Sequence, residues 1–278
     1  MTEPEEPLYV LGRSQNELER LVRQSSFYGE LTEDLLRRAG VAPGMRVVDI
    51  GCGVGDVALL VASLVGETGS VIGVDRSAES VQLAQRRIEG AGLSNISFRH
   101  GDLADFTPDG LFDAIVGRFV LLYLAGPAPT LERLSRFVRP GGLVVFQEMD
   151  MTVARSSPTV PLYQMAIGWI IETFLRAGVE VDMGSRLFAT FRDAGLPAPE
   201  LVLRGRIEGS ADSPAFAYIA DTIRSLLPMA ERLGVVRPRD LDVDTLADRL
   251  RDDVVRANGV VVLPHLIGAW TRLPAQAT

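Results

Sequence analysis

The sequence predicts a doubly wound α/β fold with a mostly parallel sheet, and three observations carry that prediction. Nearly unbroken apolar runs alternate at least four times with amphipathic helical segments between residues 45 and 150, the pattern of strands buried on both faces and joined by crossover helices. Three alternate glycines, Gly51, Gly53 and Gly55, follow the first apolar run and open the first helical one. An acid, Asp75, closes the second apolar run twenty residues beyond Gly55.

The elements follow in order. Residues 14–40 carry Leu18, Leu21, Val22, Leu31, Leu35 and Leu36 at helical spacing, interrupted near Phe27 to Gly29. The interruption predicts two helices, which form an N-terminal helical cap over residues 1–40. A strand is expected at MRVVDI (45–50), a helix at DVALLVASLV (56–65) and a strand at SVIGVD (70–75). Ser77 is placed to cap the next helix, SAESVQLAQRRIEGAG, because a serine side chain there accepts an otherwise orphaned first-turn N–H. Strands NISFRH (95–100), FDAIVG (112–117) and LVVFQEMD (143–150), with a helix near 130–138, complete a core spanning 41–155. From Ser156 the texture changes. Segments 160–177, 213–233 and 240–257 have helical period, while 200–207 and 260–272 read as extended. The two late strands are expected to complete the same sheet and the intervening helices to form a lid. No Gly-, Ser- or Pro-rich linker marks a boundary, so 156–278 is assigned to the same domain.

Composition narrows the function classes. With 47% hydrophobic and 23% charged residues over 278 positions, the chain reads as globular. A net charge of −8 disfavours a nucleic-acid partner, which needs a basic face. All 28 basic residues are arginine, which excludes Schiff-base chemistry and lysine-dependent phosphate loops. Cys52 is the single cysteine, so neither an intrachain disulfide nor a cysteine-rich metal site can form, and no metal is expected. The acidic, proline-broken leader MTEPEEPLYV lacks the basic start of a secretory signal, and the run VALLVASLV (57–65) is too short to span a bilayer. The expectation is a cytoplasmic protein whose oligomeric state, a homodimer included, the sequence leaves open.

The glycine turn lies between the first strand and first helix, at the carboxyl edge of the sheet where ligands of such folds bind. Glycines there tolerate positive φ and close approach of a ligand, and the following helix points free N–H groups at it. Asp75 is placed to accept both hydroxyls of a ribose. Two ligand classes use this geometry, nicotinamide or flavin dinucleotides and S-adenosylmethionine. The dinucleotide pattern wants glycine or alanine where Asp56 stands, and a diphosphate would be repelled by Asp49 and Asp56. An acid at the close of the first strand suits instead a ligand with a cationic amine and sulfonium.

Together, the pattern hydrophobic-hydrophobic-Asp-x-Gly-x-Gly-x-Gly, Asp75, the run Gly101-Asp102-Leu103 and RPGG at 139–142 resemble the class I S-adenosylmethionine-dependent methyltransferases. The resemblance is detailed over residues 45–150. It implies a Rossmann-like, seven-stranded, mostly parallel sheet, with S-adenosylmethionine consumed and S-adenosylhomocysteine released. It also implies that Asp49, Gly51, Cys52 and Gly53 surround the methionine part, that Asp75 holds the ribose, and that Asp102 with Gly101 and Leu103 engages adenine beside Arg76. Arg118, after the fourth strand, is expected at the cofactor carboxylate or the acceptor. Gln24 and Tyr28 are candidates for the cap that closes over the cofactor.

Methyl transfer needs alignment and exclusion of water, and a general base when the nucleophile is a hydroxyl. Glu148 and His265 are the candidate catalytic residues, with Asp150 and Tyr123 behind them. Glu148 and Asp150 share one side of the fifth strand by alternation. His265 lies in the otherwise apolar VVVLPHLIGAW, and His100 is read as local structure. Leu, Met, Phe and Trp in the lid segments, Phe174 and Tyr218 among them, point to a small apolar acceptor such as a secondary metabolite, with oxygen the favoured acceptor atom and carbon second. The rivals are a nicotinamide oxidoreductase and a cofactor-binding scaffold acting as a cyclase or binding module.

Overall fold

A computed structural model describes residues 15–237 and 241–275, and for 15–23, 25 and 26 only the backbone. The acidic leader and Asp240 lie outside the described residues. The core sheet has seven strands in the order β3-β2-β1-β4-β5-β10-β7. They are β1 (Arg46–Ile50), β2 (Ser70–Asp75), β3 (Ile96–His100), β4 (Phe112–Arg118), β5 (Val138–Asp150), β7 (Glu200–Arg204) and β10 (His265–Arg272). β1 to β5 run parallel, and β10 is antiparallel to both β5 and β7. The sheet is doubly wound, with the strand order reversing between β1 and β4. That reversal parts the connections to opposite faces and opens a crevice at the carboxyl ends of the strands.

Burial explains the apolar runs. Val47, Val48 and Ile50 of β1 and Ala114, Ile115 and Val116 of β4 are fully enclosed. One face packs against α2 (Asp56–Val65) and α3 (Ala78–Ala91), the latter capped by Ser77, whose hydroxyl accepts the Ser80 N–H at 3.2 Å. The other face packs against α4 (Pro127–Ser135) and α6 (Met183–Asp193), while α5 (Pro161–Arg176) packs on α7 (Ala215–Arg232) and α8 (Leu246–Arg256).

Three expectations are corrected. The predicted pair of N-terminal helices is one helix, α1 (Gln15–Ala39). The break in its pattern at Phe27 to Gly29 is a change of partner. Leu35 and Leu36 pack into the core beneath α2, whereas Phe27 and Tyr28 pack into the other core, against α7 (Ala215–Arg232). The ends of the predicted late strands do not join the main sheet. β8 (Ile207–Glu208) and β9 (Val260–Val262) pair with β6 (Arg155–Ser157) in a separate three-stranded antiparallel sheet. Helix α6, with Met183, Leu187 and Phe191 buried on one face, was not anticipated, and α8 begins at Leu246. Among the described residues no helix is long and apolar enough to cross a membrane.

Candidate active site

The turn after β1 takes its shape from its glycines. Gly51, Gly53 and Gly55 hold φ of +64°, +52° and +88°, the left-handed region that side chains disfavour. Two of them also permit contact. A Cβ on Gly51 would stand 2.6 Å from Val120 Cγ2, and one on Gly55 would stand 2.6 Å from the Phe98 ring. A Cβ on Gly53 would meet nothing within 4 Å, so Gly53 is where a ligand can approach the backbone. Asp75 ties the turn to β2: one oxygen accepts the Gly53 N–H at 2.8 Å and the other the Ser77 N–H at 2.8 Å. Each oxygen keeps a second lone pair. The Cys52 N–H donates to Val74 O at 3.0 Å.

Beneath the turn, Asp49 is buried and one of its oxygens has no hydrogen-bond partner. Burial pushes its carboxyl up to about 8, against the opposing pull of Arg118. Arg118 closes β4 and donates to Thr32 Oγ1 at 3.0 Å, and the Thr32 hydroxyl in turn donates to Gln147 Oε1 at 2.7 Å. Glu148 is also fully buried and is pushed up to about 8 by that burial, although it accepts the N–H groups of Val120 and Leu121 at 2.9 and 2.8 Å. Both carboxyls are thus raised from ordinary unfolded values near 4. Their contribution to stability is fully present below that unfolded value and is lost as pH rises through about 8. The urea midpoint is therefore expected to fall between pH 5 and pH 9, and to fall less steeply in Asp49→Asn. Parallel slopes would show that Asp49 does not titrate in this range.

The turn opens onto a cavity at the switch between β1 and β4. Of the residues singled out from the sequence, Gln24, Gly51, Cys52, Gly53, Asp75, Arg76, Asp102, Leu103, Arg118 and Tyr123 line it, together with Phe174 and Tyr218 of the lid. Asp102 is exposed and accepts the Ala104 N–H at 2.8 Å. Burial pushes the Cys52 thiol well up, so it stays a neutral wall group.

The remaining assignments do not reach the cavity. Glu148 and Asp150 share a side of β5, but it is Met149 and Met151 that line the cavity. The carboxylates face elsewhere: Glu148 braces the turn at Val120, and Asp150 accepts from Thr152 and from Ser185 on α6. His265 starts β10 opposite Asp150, and its neighbour Pro264 lines the cavity in its place. Neither candidate base is therefore positioned to take a proton from an acceptor. Asp49 lies below the lining, where desolvation holds it. Gly101 uses its N–H on Asp75 O at 3.0 Å, extending the β2–β3 ladder. Tyr28 is buried behind the wall, edge-on to Phe119 and Tyr218 at 6.0 and 5.6 Å.

In GRFVLLYL (117–124), the stretch that the resemblance implies lines the methyl-transfer face, Phe119, Leu122 and Leu124 do line the cavity. Sequence reading missed much of the outer wall: Met149, Met151, Ile167, Ile170, Ile171, Ile219, Thr222, Leu263 and Pro264. A signal was present in α5, where Ile167, Ile170, Ile171 and Phe174 recur at i, i+3, i+4 and i+7, one face of a helix. That stripe is the same whether a face meets core or cavity, so only the packing shows which. Phe119 holds a positive φ of 59°, unusual for a bulky residue.

Fold, turn and cavity together define the class. Residues 42–172 match the family described as methyltransferase domain, and that segment carries the class I, S-adenosylmethionine-dependent methyltransferase core. Particular relatives can be named. The chain is 32% identical to demethylmenaquinone methyltransferase of Geobacillus kaustophilus over 117 residues, 42% of this chain and 50% of the relative. It is 36% identical to arsenite methyltransferase of Aquipseudomonas alcaligenes over 114 residues, 38% of this chain and 33% of the relative. The matches thus span about half or less of these relatives. In fold, the chain is similar to the Haemonchus contortus phosphoethanolamine N-methyltransferase 2 in complex with phosphomonomethylethanolamine and S-adenosylhomocysteine. That likeness has a TM-score of 0.55 at 16% identity, covering 89% of this chain and 53% of the other.

Proposed function

We propose that the protein transfers a methyl group from S-adenosylmethionine to a small apolar acceptor, at oxygen in the first instance and at carbon in the second. The observation that carries this reading is a single cavity with two unlike ends: the glycine turn with Asp75 and Asp102 at one, and a wall of Ile, Leu, Met and Phe at the other. The first end fits an adenosine carrying a positive charge. Asp75 has lone pairs left for the ribose hydroxyls, Gly53 leaves its approach open, and the buried carboxyl of Asp49 lies below the turn.

S-adenosylmethionine supplies an electrophilic methyl group, and the chain supplies alignment and dryness. Asp75 orients the sugar, Asp102 accepts from the adenine amine with the oxygen that Ala104 leaves free, and Leu103 with Arg76 flanks the ring. Arg118 offers its guanidinium to the methionine carboxylate. Gln24 closes the pocket from α1. The apolar wall excludes water from the methyl group, which favours the acceptor over hydrolysis.

Calorimetric titration with S-adenosylhomocysteine is the test, with NADH as the comparison, followed by incubation with methyl-labelled cofactor and an acceptor panel. Binding of the homocysteine product in the micromolar range and transfer of label to an extractable apolar product are expected. Preference for NADH, or cofactor bound and released unchanged across the panel, would reject the reading.

A further inference from the structure

We propose that the acceptor reacts as an anion: an apolar molecule with one acidic O–H or C–H, a phenol or enol, that reaches the cavity ionised and sets its charged atom against Tyr218. This inference rests on the methyltransferase reading and narrows it to an acceptor class. It follows from how charge is distributed along the cavity.

The sheet order separates the two ends. Asp75 and Asp102 lie at the tips of β2 and β3, whereas the wall from β4 outward is built of Leu122, Met149, Met151 and the α5 stripe. Among the described lining residues outward of Gln24 and Arg118, the polar side chains are hydroxyls, those of Tyr123, Tyr218 and Thr222. Thr222 turns its hydroxyl back to Tyr218 O at 2.8 Å. The carboxylates of Glu148 and Asp150 and the imidazole of His265 do not line the cavity. A neutral aliphatic alcohol would find no base among these groups. A phenol, with an ordinary pKa near 10, ionises far more readily and needs none.

The apolar wall makes the sign of the acceptor decisive. When a neutral amine takes the methyl group, positive charge moves from sulfur to nitrogen and stays in a medium that solvates it poorly. When an anion takes it, both charges vanish. The oxygen lone pair forms the O–C bond, the C–S bond breaks with its electron pair going to sulfur, and the products are a neutral ether and a neutral thioether. The acceptor's proton has already gone to solvent. Attraction between anion and sulfonium strengthens as the local dielectric falls, so a dry wall holds this pair and disfavours the amine.

Tyr218 is the group placed to receive the anion. It lines the cavity from α7 beside Gln24, whose Nε2–H its oxygen accepts at 3.3 Å, and a phenol oxygen that accepts still carries an O–H to donate. The groups around it are Gln24 and the buried Tyr28 of α1, and the cationic Arg118 of β4 lines the same cavity. A negative oxygen there meets a phenol proton and a nearby positive charge. Tyr218 is thus a specificity-determining residue.

The test uses the full chain loaded with sinefungin, an amine analogue that places a positive charge where the methyl group would be. 2-Naphthol and 4-butylphenol are added as two body shapes, with 1-naphthylamine as the neutral-nitrogen comparison. The phenols are expected to bind as anions. Their ionised absorption band should appear about one pH unit or more below its position in free solution, and the amine should bind at least about tenfold more weakly, a typical specificity step. Tyr218→Phe is expected to abolish most of the spectral shift while sinefungin affinity stays within about threefold. Phenols bound in neutral form, amine affinity equal to theirs, or an unchanged shift in Tyr218→Phe would overturn the inference alone. Failure of sinefungin to bind would overturn the methyltransferase reading and this inference with it.

Discussion

Asp75→Ala is expected to raise the dissociation constant for S-adenosylhomocysteine about 100-fold. Two ribose hydroxyls donating to a carboxylate contribute about 1.5 kcal/mol each, and about 3 kcal/mol is roughly two powers of ten in affinity. The same carboxylate also holds the Gly53 and Ser77 N–H groups, so the variant loosens the turn before any ligand arrives. Asp75→Asn separates the two effects. Its one carbonyl oxygen can keep one of the two backbone partners while losing the charge, so a weakening of about tenfold with a smaller loss of thermal stability than in Asp75→Ala is expected. Calorimetry gives the affinities and a thermal melt gives the stability. Unchanged affinity in Asp75→Ala would place the ribose elsewhere and leave Asp75 as a brace for the glycine turn.

Gly51→Ala is expected to cost about 2–5 kcal/mol of stability and to abolish measurable binding of S-adenosylhomocysteine. One part of that cost is backbone strain, about 1–2 kcal/mol for a left-handed residue with a Cβ. The other is steric, since the new carbon would stand 2.6 Å from Val120 Cγ2, and crowding of that kind in a packed site costs about 1–3 kcal/mol. Val120 cannot easily retreat, because its N–H is fixed on the buried Glu148 at 2.9 Å. A double-mutant cycle with Val120→Ala divides the cost. The double variant should recover the steric part and retain the strain, with a coupling of about 1–2 kcal/mol in urea melts. Strict additivity would mean that the turn moves away from Val120 freely.

How far the sequence could be read depended on whether the signal was local. The glycine turn, the Ser77 cap and the parallel core were legible because each follows from a short stretch: positive φ from alternating glycines, a cap from serine at a helix start, double burial from unbroken Val and Ile. The single α1 was not, since Phe27 and Leu35 serve different cores and the sequence records only a stumble in period. Glu148 shows the same limit. Alternation correctly grouped it with Asp150, but the face of β5 turned to the cavity is set by where α6 and the turn at Val120 pack.

The residues by themselves determined that a ligand-sized turn closes β1 and that an acid stands one strand over, because backbone freedom and charge are properties of the residues in place. The tertiary structure alone decided that Met149 rather than Glu148 meets the cavity, that the α5 stripe lines a chamber, and that Tyr218 joins that lining beside Gln24. Those outcomes depend on which faces of distant elements meet, and an apolar face looks alike in sequence whether it covers core or bounds a pocket.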